Sequence, residues 1–235
     1  MTSVTRKNDR AQFLTRKSDF VNNHRRMAHF LRFAALTLPL VFGGPAAFGA
    51  DPEAPAPAGR YKTDPAHSTL SWSFSHFGLS HYTARFTRVE ARLDWNPDRP
   101  EASTLSVEID PLSVRTDYPW AEAADFEAKI GADADFLAGK PITFVSKRIA
   151  VTGRDTGVVD GLLTFRDATH PATLDVVFNG SMAEHPMAGA AKLGFSAKGK
   201  IRRSEWGLDF AIPELGDDVT LVIETQMVPV DHAFH

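Results

Sequence analysis

The sequence predicts an all-β protein: about eight antiparallel strands with one short helix, spread over residues 60–230. Three observations predict it. From Tyr61 onward apolar residues recur at every second position. Turn-forming residues divide these runs at intervals suited to antiparallel connections. Only residues 119–138 leave the period of two, and there the spacing lengthens to four.

The clearest run is Leu70, Trp72, Phe74 and His76, interleaved with Ser71, Ser73 and Ser75, a bulky face against a small polar one. Leu105, Val107 and Ile109 alternate with Ser106 and Glu108, and Ile142, Phe144 and Ser146 with Thr143 and Val145. Leu193, Phe195, Ala197 and Ile201 share a face, as do Val219, Leu221 and Ile223. Turn signals at 96–100, 153–157 and Asn179-Gly180 separate the segments. The expected strands are 68–77, 82–95, 103–110, 141–151, 157–166, 172–180, 191–203 and 218–227. Phe126, Ile130 and Ala134 fall at i, i+4 and i+8, with Phe136 and Leu137 following, which predicts a short amphipathic helix ended before Gly139 and Pro141. Strands of this number and length fit either a sandwich or a closed barrel, and the alternation leaves both open.

Residues 1–50 read as a lead and signal peptide, with Met27 as an alternative start. Arg25, Arg26 and Arg32 flank the apolar run 33–42, and Ala47-Phe48-Gly49 offers small residues for cleavage. The run is shorter than the roughly 20 residues a membrane span needs. Residues 51–59 (DPEAPAPAG) read as a Pro/Ala linker without capacity to pack, and 231–235 as a tail. The net charge of −3 conceals an asymmetry. Removing the eight basic and two acidic residues of positions 1–50 from totals of 26 and 29 leaves 18 basic against 27 acidic, a balance of −9. Such a body repels phosphate backbones, which argues against nucleic acid as a partner, and offers no polybasic patch to anionic lipid. There is no cysteine, so disulfides, thiolate nucleophiles and cysteine metal ligands are excluded.

An ordered series of short motifs runs from 61 to about 228. Tyr61-Lys62-Thr63-Asp64-Pro65-Ala66-His67-Ser68 opens it, followed by His76-Phe77-Gly78, Phe86 and Ser113-Val114-Arg115-Thr116. Asp135-Phe136-Leu137, Pro141 to Ser146, Gly161 to Thr164 and Thr169-His170-Pro171 continue it. Gly194 to Ala197, Arg203-Ser204-Glu205-Trp206-Gly207-Leu208 and Gly216-Asp217-Asp218-Val219 complete it. In order and spacing these resemble the YceI-like family. Ala84 and Arg166-Asp167 depart from it, standing where that family usually has glycine, which puts the local turn at 166–167 in doubt. The resemblance implies an eight-stranded antiparallel lipocalin-like barrel with one short helix, a periplasmic location, and an interior holding a polyprenyl or quinone tail. It implies no dedicated cofactor beyond that bound isoprenoid lipid or quinone. A membrane cytochrome b enters as a further partner, and homodimer and monomer both stay open.

On that reading the ligand lies along Leu70, Trp72, Phe74, Phe86, Leu105, Val107, Ile109, Phe144, Phe165, Phe195 and Ile201, with His76 available to a headgroup. The alternative is that these side chains fill a solid core. Phe126, Ile130, Phe136 and Leu137 either cover one mouth or pack outside the wall. At roughly 0.8 kcal/mol per buried methylene, about forty carbons give a gross term near 30 kcal/mol. Non-covalent affinity saturates near 20 kcal/mol, and the ligand leaves a membrane rather than water, so net affinity is modest. His67, His76 and His81 lack the spacing of a metal site, and Asp64, His67 and Ser68 lack the elbow and oxyanion motifs of a hydrolase. No catalytic residue is assigned. An enzyme acting on a lipid headgroup and a partner module for a membrane redox protein are the alternatives to a carrier. Arg203 reads as closing a barrel end more readily than as a headgroup contact.

Overall fold

In the computed structural model, residues 54–120 and 125–234 are described, and eleven strands form one antiparallel sheet. The expected lead and signal peptide, 1–50, falls outside these residues. The strands are β1 Gly59–Thr63, β2 Thr69–His76, β3 Ser80–Phe86, β4 Val89–Trp95, β5 Thr104–Ile109 and β6 Val114–Arg115. They continue with β7 Ile142–Val151, β8 Thr156–Phe165, β9 Ala168–Met182, β10 Lys192–Arg202 and β11 Asp218–Pro229. The ring runs β1-β4-β5-β7-β8-β9-β10-β11 and closes by pairing β11 with β1. The choice between sandwich and barrel is therefore settled as an eight-stranded closed barrel. Closure leaves no ring strand with an unpaired edge.

The other three strands lengthen the wall at one end. β2 continues β1 along the same edge of β11, pairing Leu70–Ser73 with Thr220–Ile223, while β3 pairs with β2 and β6 with β3. Both interruptions that create these extensions use an Asp-Pro pair. The Asp64 carboxylate accepts from the Ala66 N–H at 3.0 Å, and Asp110 from the Leu112 N–H at 2.8 Å. Proline follows each, at the first position of a single 3-10 turn, where its missing N–H costs nothing.

The expected strand 82–95 is two strands, offset at Thr87-Arg88, and the expected 172–180 runs from Ala168. β1 was not expected as a strand, because its five residues show little alternation. The linker expectation for 51–59 fails at 54–58: Ala56 is buried and its N–H donates to Ser181 Oγ at 3.1 Å. Low hydrophobicity hides packing that rests on backbone hydrogen bonds. The helix, α1, covers Phe126–Ala132, so Ala134 falls beyond it. The Asp133 N–H closes the last turn on the Lys129 carbonyl at 3.0 Å.

The doubtful turn at Arg166-Asp167 forms without glycine. Phe165 pairs with Ala168, and both intervening residues adopt positive φ, 50° and 65°. The Arg166 guanidinium donates to the Ala134 and Phe136 carbonyls, both at 2.5 Å, and Asp167 pairs with Lys140. These contacts compensate the left-handed backbone and tie the β8–β9 turn to the segment after α1.

Candidate functional site

Alternation in the strands produces a lumen rather than a solid core. Along β9, Ala172, Leu174 and Val176 face inward, while Thr173, Asp175 and Val177 are exposed. Among the described residues the inward rows of the other strands leave two cavities, of about 260 and 580 Å³, the larger within the size range of small-molecule sites.

The smaller chamber is lined by Leu70, Trp72, Phe74, His76 and Phe86 from the β2–β3 hairpin and by Ile109, Phe165 and Ile201. Phe126, Ile130 and Phe136 complete it, so the helix region covers a mouth rather than packing outside. The sheet explains why a helix is needed there. β5 pairs with β7 only as far as Ile109–Ile142, and β6 pairs only with β3. Among the described residues no ladder joins β6 to β7 beyond that point. α1 lies against this stretch, with the Thr116 N–H donating to Glu127 Oε1 at 2.6 Å. A Cβ on Gly131 would stand 2.9 Å from the Pro111 carbonyl, so glycine permits the close approach.

The larger chamber takes Leu105, Val107 and Phe195 of the expected residues. It adds Val89, Ala91, Leu93 and Trp95 from β4 and Leu174, Val176 and Phe178 from β9, which had not been singled out. The signal for them was the same alternation, present in both segments. Trp95 stacks on Phe178 at 5.5 Å and meets Phe195 edge-on at 5.9 Å. Buried Tyr61, Leu193 and Met227 pack together with Leu93 at this end.

Leu70 lines both chambers. On β8, Val159 lines the larger chamber and Leu163 the smaller; on β10, Ala197 and Ile201 divide in the same way. The residues between are Gly161 and Gly199. The Phe144 ring occupies the space a Cβ on Gly161 would need, 2.4 Å from it, and Leu174 does so at Gly199, at 2.7 Å. A waist therefore separates the chambers. Phe144 lines neither: alone of the expected ligand residues it is buried in the packing of this waist.

Polar groups in the lumen are few. Trp72 Nε1, the Tyr82 hydroxyl and Trp95 Nε1 are buried without a hydrogen-bond partner among the described residues. Burial raises the Tyr82 pKa above its ordinary value. Arg203 reaches the wall of the smaller chamber, but its guanidinium is engaged. It donates to the carbonyls of Gly216, Leu208, Phe210 and Leu215 at 2.7–2.9 Å. Burial lowers its pKa, partly opposed by Asp217 and Asp209. Its role here is to hold the segment 207–216, as the sequence reading favoured.

The three histidines point apart. His76 faces the smaller chamber, His81 is exposed on β3, and His67 hydrogen-bonds Asp64 at 2.9 Å. Asp64 is also ion-paired to buried Lys192 at 2.6 Å. Its burial acts to raise its pKa, but hydrogen bonds from Lys192, His67 and the Ala66 N–H outweigh this and hold it low. The Ser68 hydroxyl bonds Thr225 and the Gln226 carbonyl, not His67, so these residues form a structural clasp rather than a nucleophile relay.

The sequence pattern of the YceI-like domain matches residues 61–227. A UPF0312 protein of Pseudomonas putida (strain GB-1) is 33% identical over 158 residues, covering 65% of this chain and 78% of that protein. A UPF0312 protein of Staphylococcus epidermidis is 27% identical over 154 residues, covering 64% and 83%. Among solved structures, the YCEI protein of Campylobacter jejuni is similar at a TM-score of 0.55 and 27% identity, over 66% of this chain and 88% of that one. Burkholderia cenocepacia BcnA shares the fold at a TM-score of 0.58 and 19% identity, over 70% and 98%.

Proposed function

Taking as premise that the chain belongs to the YceI-like family, we propose that it binds and carries a long apolar isoprenoid lipid, a polyprenyl or quinone tail, in the periplasm. The observation that carries this reading is the lumen itself: two apolar chambers, end to end, with a waist between them. A slender, branched, flexible chain fills such a space, whereas a rigid ligand of the same volume would be stopped at the waist. The aromatic walls favour the same ligand, since each ring gives a large apolar contact at little cost in side-chain freedom. Trp72, Tyr82 and Trp95 supply isolated donors for an acceptor on the ligand. The ligand residues are those named on the two chamber walls.

The test is an organic-solvent extract of the purified protein, analysed by mass spectrometry, together with quenching of tryptophan emission by an added quinone. A prenyl lipid or quinone in stoichiometric amount, and quenching through Trp72 and Trp95, are expected. An extract free of lipid, with emission unchanged by quinone, overturns the reading.

A further inference from the structure

The smaller chamber opens among exposed apolar side chains. Phe77 and Leu79, on the β2–β3 turn, are 56% and 88% exposed, Phe210 is 58% exposed, and Trp120 is 64% exposed. The segments that carry them are neighbours. The Phe77 N–H donates to the Glu214 carbonyl at 2.7 Å, and Phe210 meets Phe136 edge-on at 6.2 Å. Tyr118 stacks on Phe126 at 4.3 Å and contacts Trp120 at 5.3 Å. Phe136 and Phe210 also line the chamber. The exposed rim thus runs without a break into the apolar wall. Scattered surface hydrophobics are ordinary, but a connected group at a cavity mouth marks an interaction surface.

We infer that this rim docks on the surface of a lipid bilayer. The inference rests on the carrier reading; one observation selects the bilayer and a second selects its charge. The first is the continuity of rim and chamber. A second copy or a protein seated on the rim would close the mouth, whereas a bilayer there hands an apolar chain to Phe210 and Phe136 without passing it through water. The second is charge. Arg85 pairs with Asp117 at 3.7 Å, Arg115 with Glu127 at 3.6 Å, and Lys140 with Asp167. Asp209 and Glu214 form no salt bridge among the described residues, although the Asp209 charge is felt at Arg203. The rim thus has no excess of basic residues to draw it to anionic lipid. Docking here is shallow insertion of apolar and aromatic side chains, and Trp and Tyr are the residues that settle at headgroup level.

The absence of cysteine makes the test direct. In the full chain, Leu79→Cys carries a thiol-reactive, environment-sensitive fluorophore. Met187→Cys, 92% exposed on the connection between β9 and β10 at the far end, carries the same label as control. Each is mixed with neutral phosphatidylcholine vesicles whose acyl chains are brominated. The label at 79 is expected to shift to shorter wavelength and lose emission, and the label at 187 to do neither. Phe77→Asp with Trp120→Asp, both exposed and neither on a chamber wall, is expected to abolish the change at 79 while the extract still contains lipid. Equal quenching at both labels, as anchoring by the N-terminal segment alone would give, overturns the inference. So does a response at 79 that needs anionic lipid, or one that grows with protein concentration in the absence of vesicles, which identifies a second copy as the occupant. Docking by a chain whose extract holds no lipid overturns the carrier reading and leaves the bilayer surface standing.

Discussion

At the scale of single residues, several motif positions support architecture rather than bind ligand. Asp64 and Lys192 are a buried ion pair, with side chains 6% and 9% exposed. Breaking such a pair leaves a buried charge and costs about 3–5 kcal/mol, whereas removing both members together costs far less. Lys192→Met is therefore expected to lower stability by about 3 kcal/mol, and Asp64→Asn with Lys192→Met to recover much of it. The pH dependence has a fixed sign. The folded-state pKa of Asp64 lies below its ordinary 3.8. Its stabilisation is complete above 3.8 and is lost as pH falls through the lower folded value. Denaturant midpoints measured from pH 7 down to pH 2 check this, and Asp64→Asn is expected to remove that part of the acid sensitivity. Gly161 gives a second case. A methyl group there would collide with the Phe144 ring and the Val145 carbonyl, 2.4 and 2.6 Å away. Gly161→Ala is expected to cost about 1–3 kcal/mol by overpacking, read as a lower denaturant midpoint. Sequence reading recognised Gly161 and Asp64 as motif residues but could not say what they touch. Lys192 gave no signal at all, because a lysine at the start of a strand is usually solvated.

At the scale of elements, strand existence was legible and strand continuity was not. Alternation locates a strand face, but a break such as Thr87-Arg88 only shifts its phase by one, from Ala84 and Phe86 to Val89 and Ala91, and a bulge within one strand does the same. β7 shows the converse. Its register shifts between Ser146 and Arg148, so Ile149 reaches the larger chamber although the count from Phe144 and Ser146 puts it on the outer face. The helix was legible from its spacing of four, but its end was not. Ala134 and Phe136 continue the apolar pattern through a turn that is held by Asp133, whose carboxylate accepts from the Asp135 N–H at 2.9 Å. The 207–216 segment carries the clearest prediction at this scale. Within it, four carbonyls converge on one guanidinium, a geometry lysine cannot reproduce. Arg203→Lys keeps the charge and is expected to cost about 3 kcal/mol, since bonds to charged groups contribute about 1.5–3 kcal/mol each and at least one is lost. Hydrogen exchange should rise selectively in 207–216, with the β8–β9 hairpin unchanged. Loss spread evenly over the barrel would contradict this.

At the scale of the whole molecule, sequence pattern fixes which residues face inward but not whether they meet. The summed volume of the inward side chains against the width of an eight-stranded ring decides between core and lumen, and no periodicity reports it. Most of the residues expected to line a ligand do line a chamber, and Phe144 shows how one does not: it fills the place left by a glycine on the adjacent strand, β8. The same arithmetic of volume makes the waist testable. Leu70 borders both chambers and lies where they meet. Leu70→Trp puts an indole into that passage, at an overpacking cost of about 1–3 kcal/mol that the closed barrel should tolerate. The carrier reading then makes a prediction about length. A chain long enough to occupy both chambers must cross the waist and should disappear from the extract of the variant. A short-chain quinone that fits within the 580 Å³ chamber needs no passage and should still quench Trp95. If long and short chains were lost together, the chambers would be acting as one space. If both were kept, the ligand would not thread the waist at all, and one chamber alone would hold it.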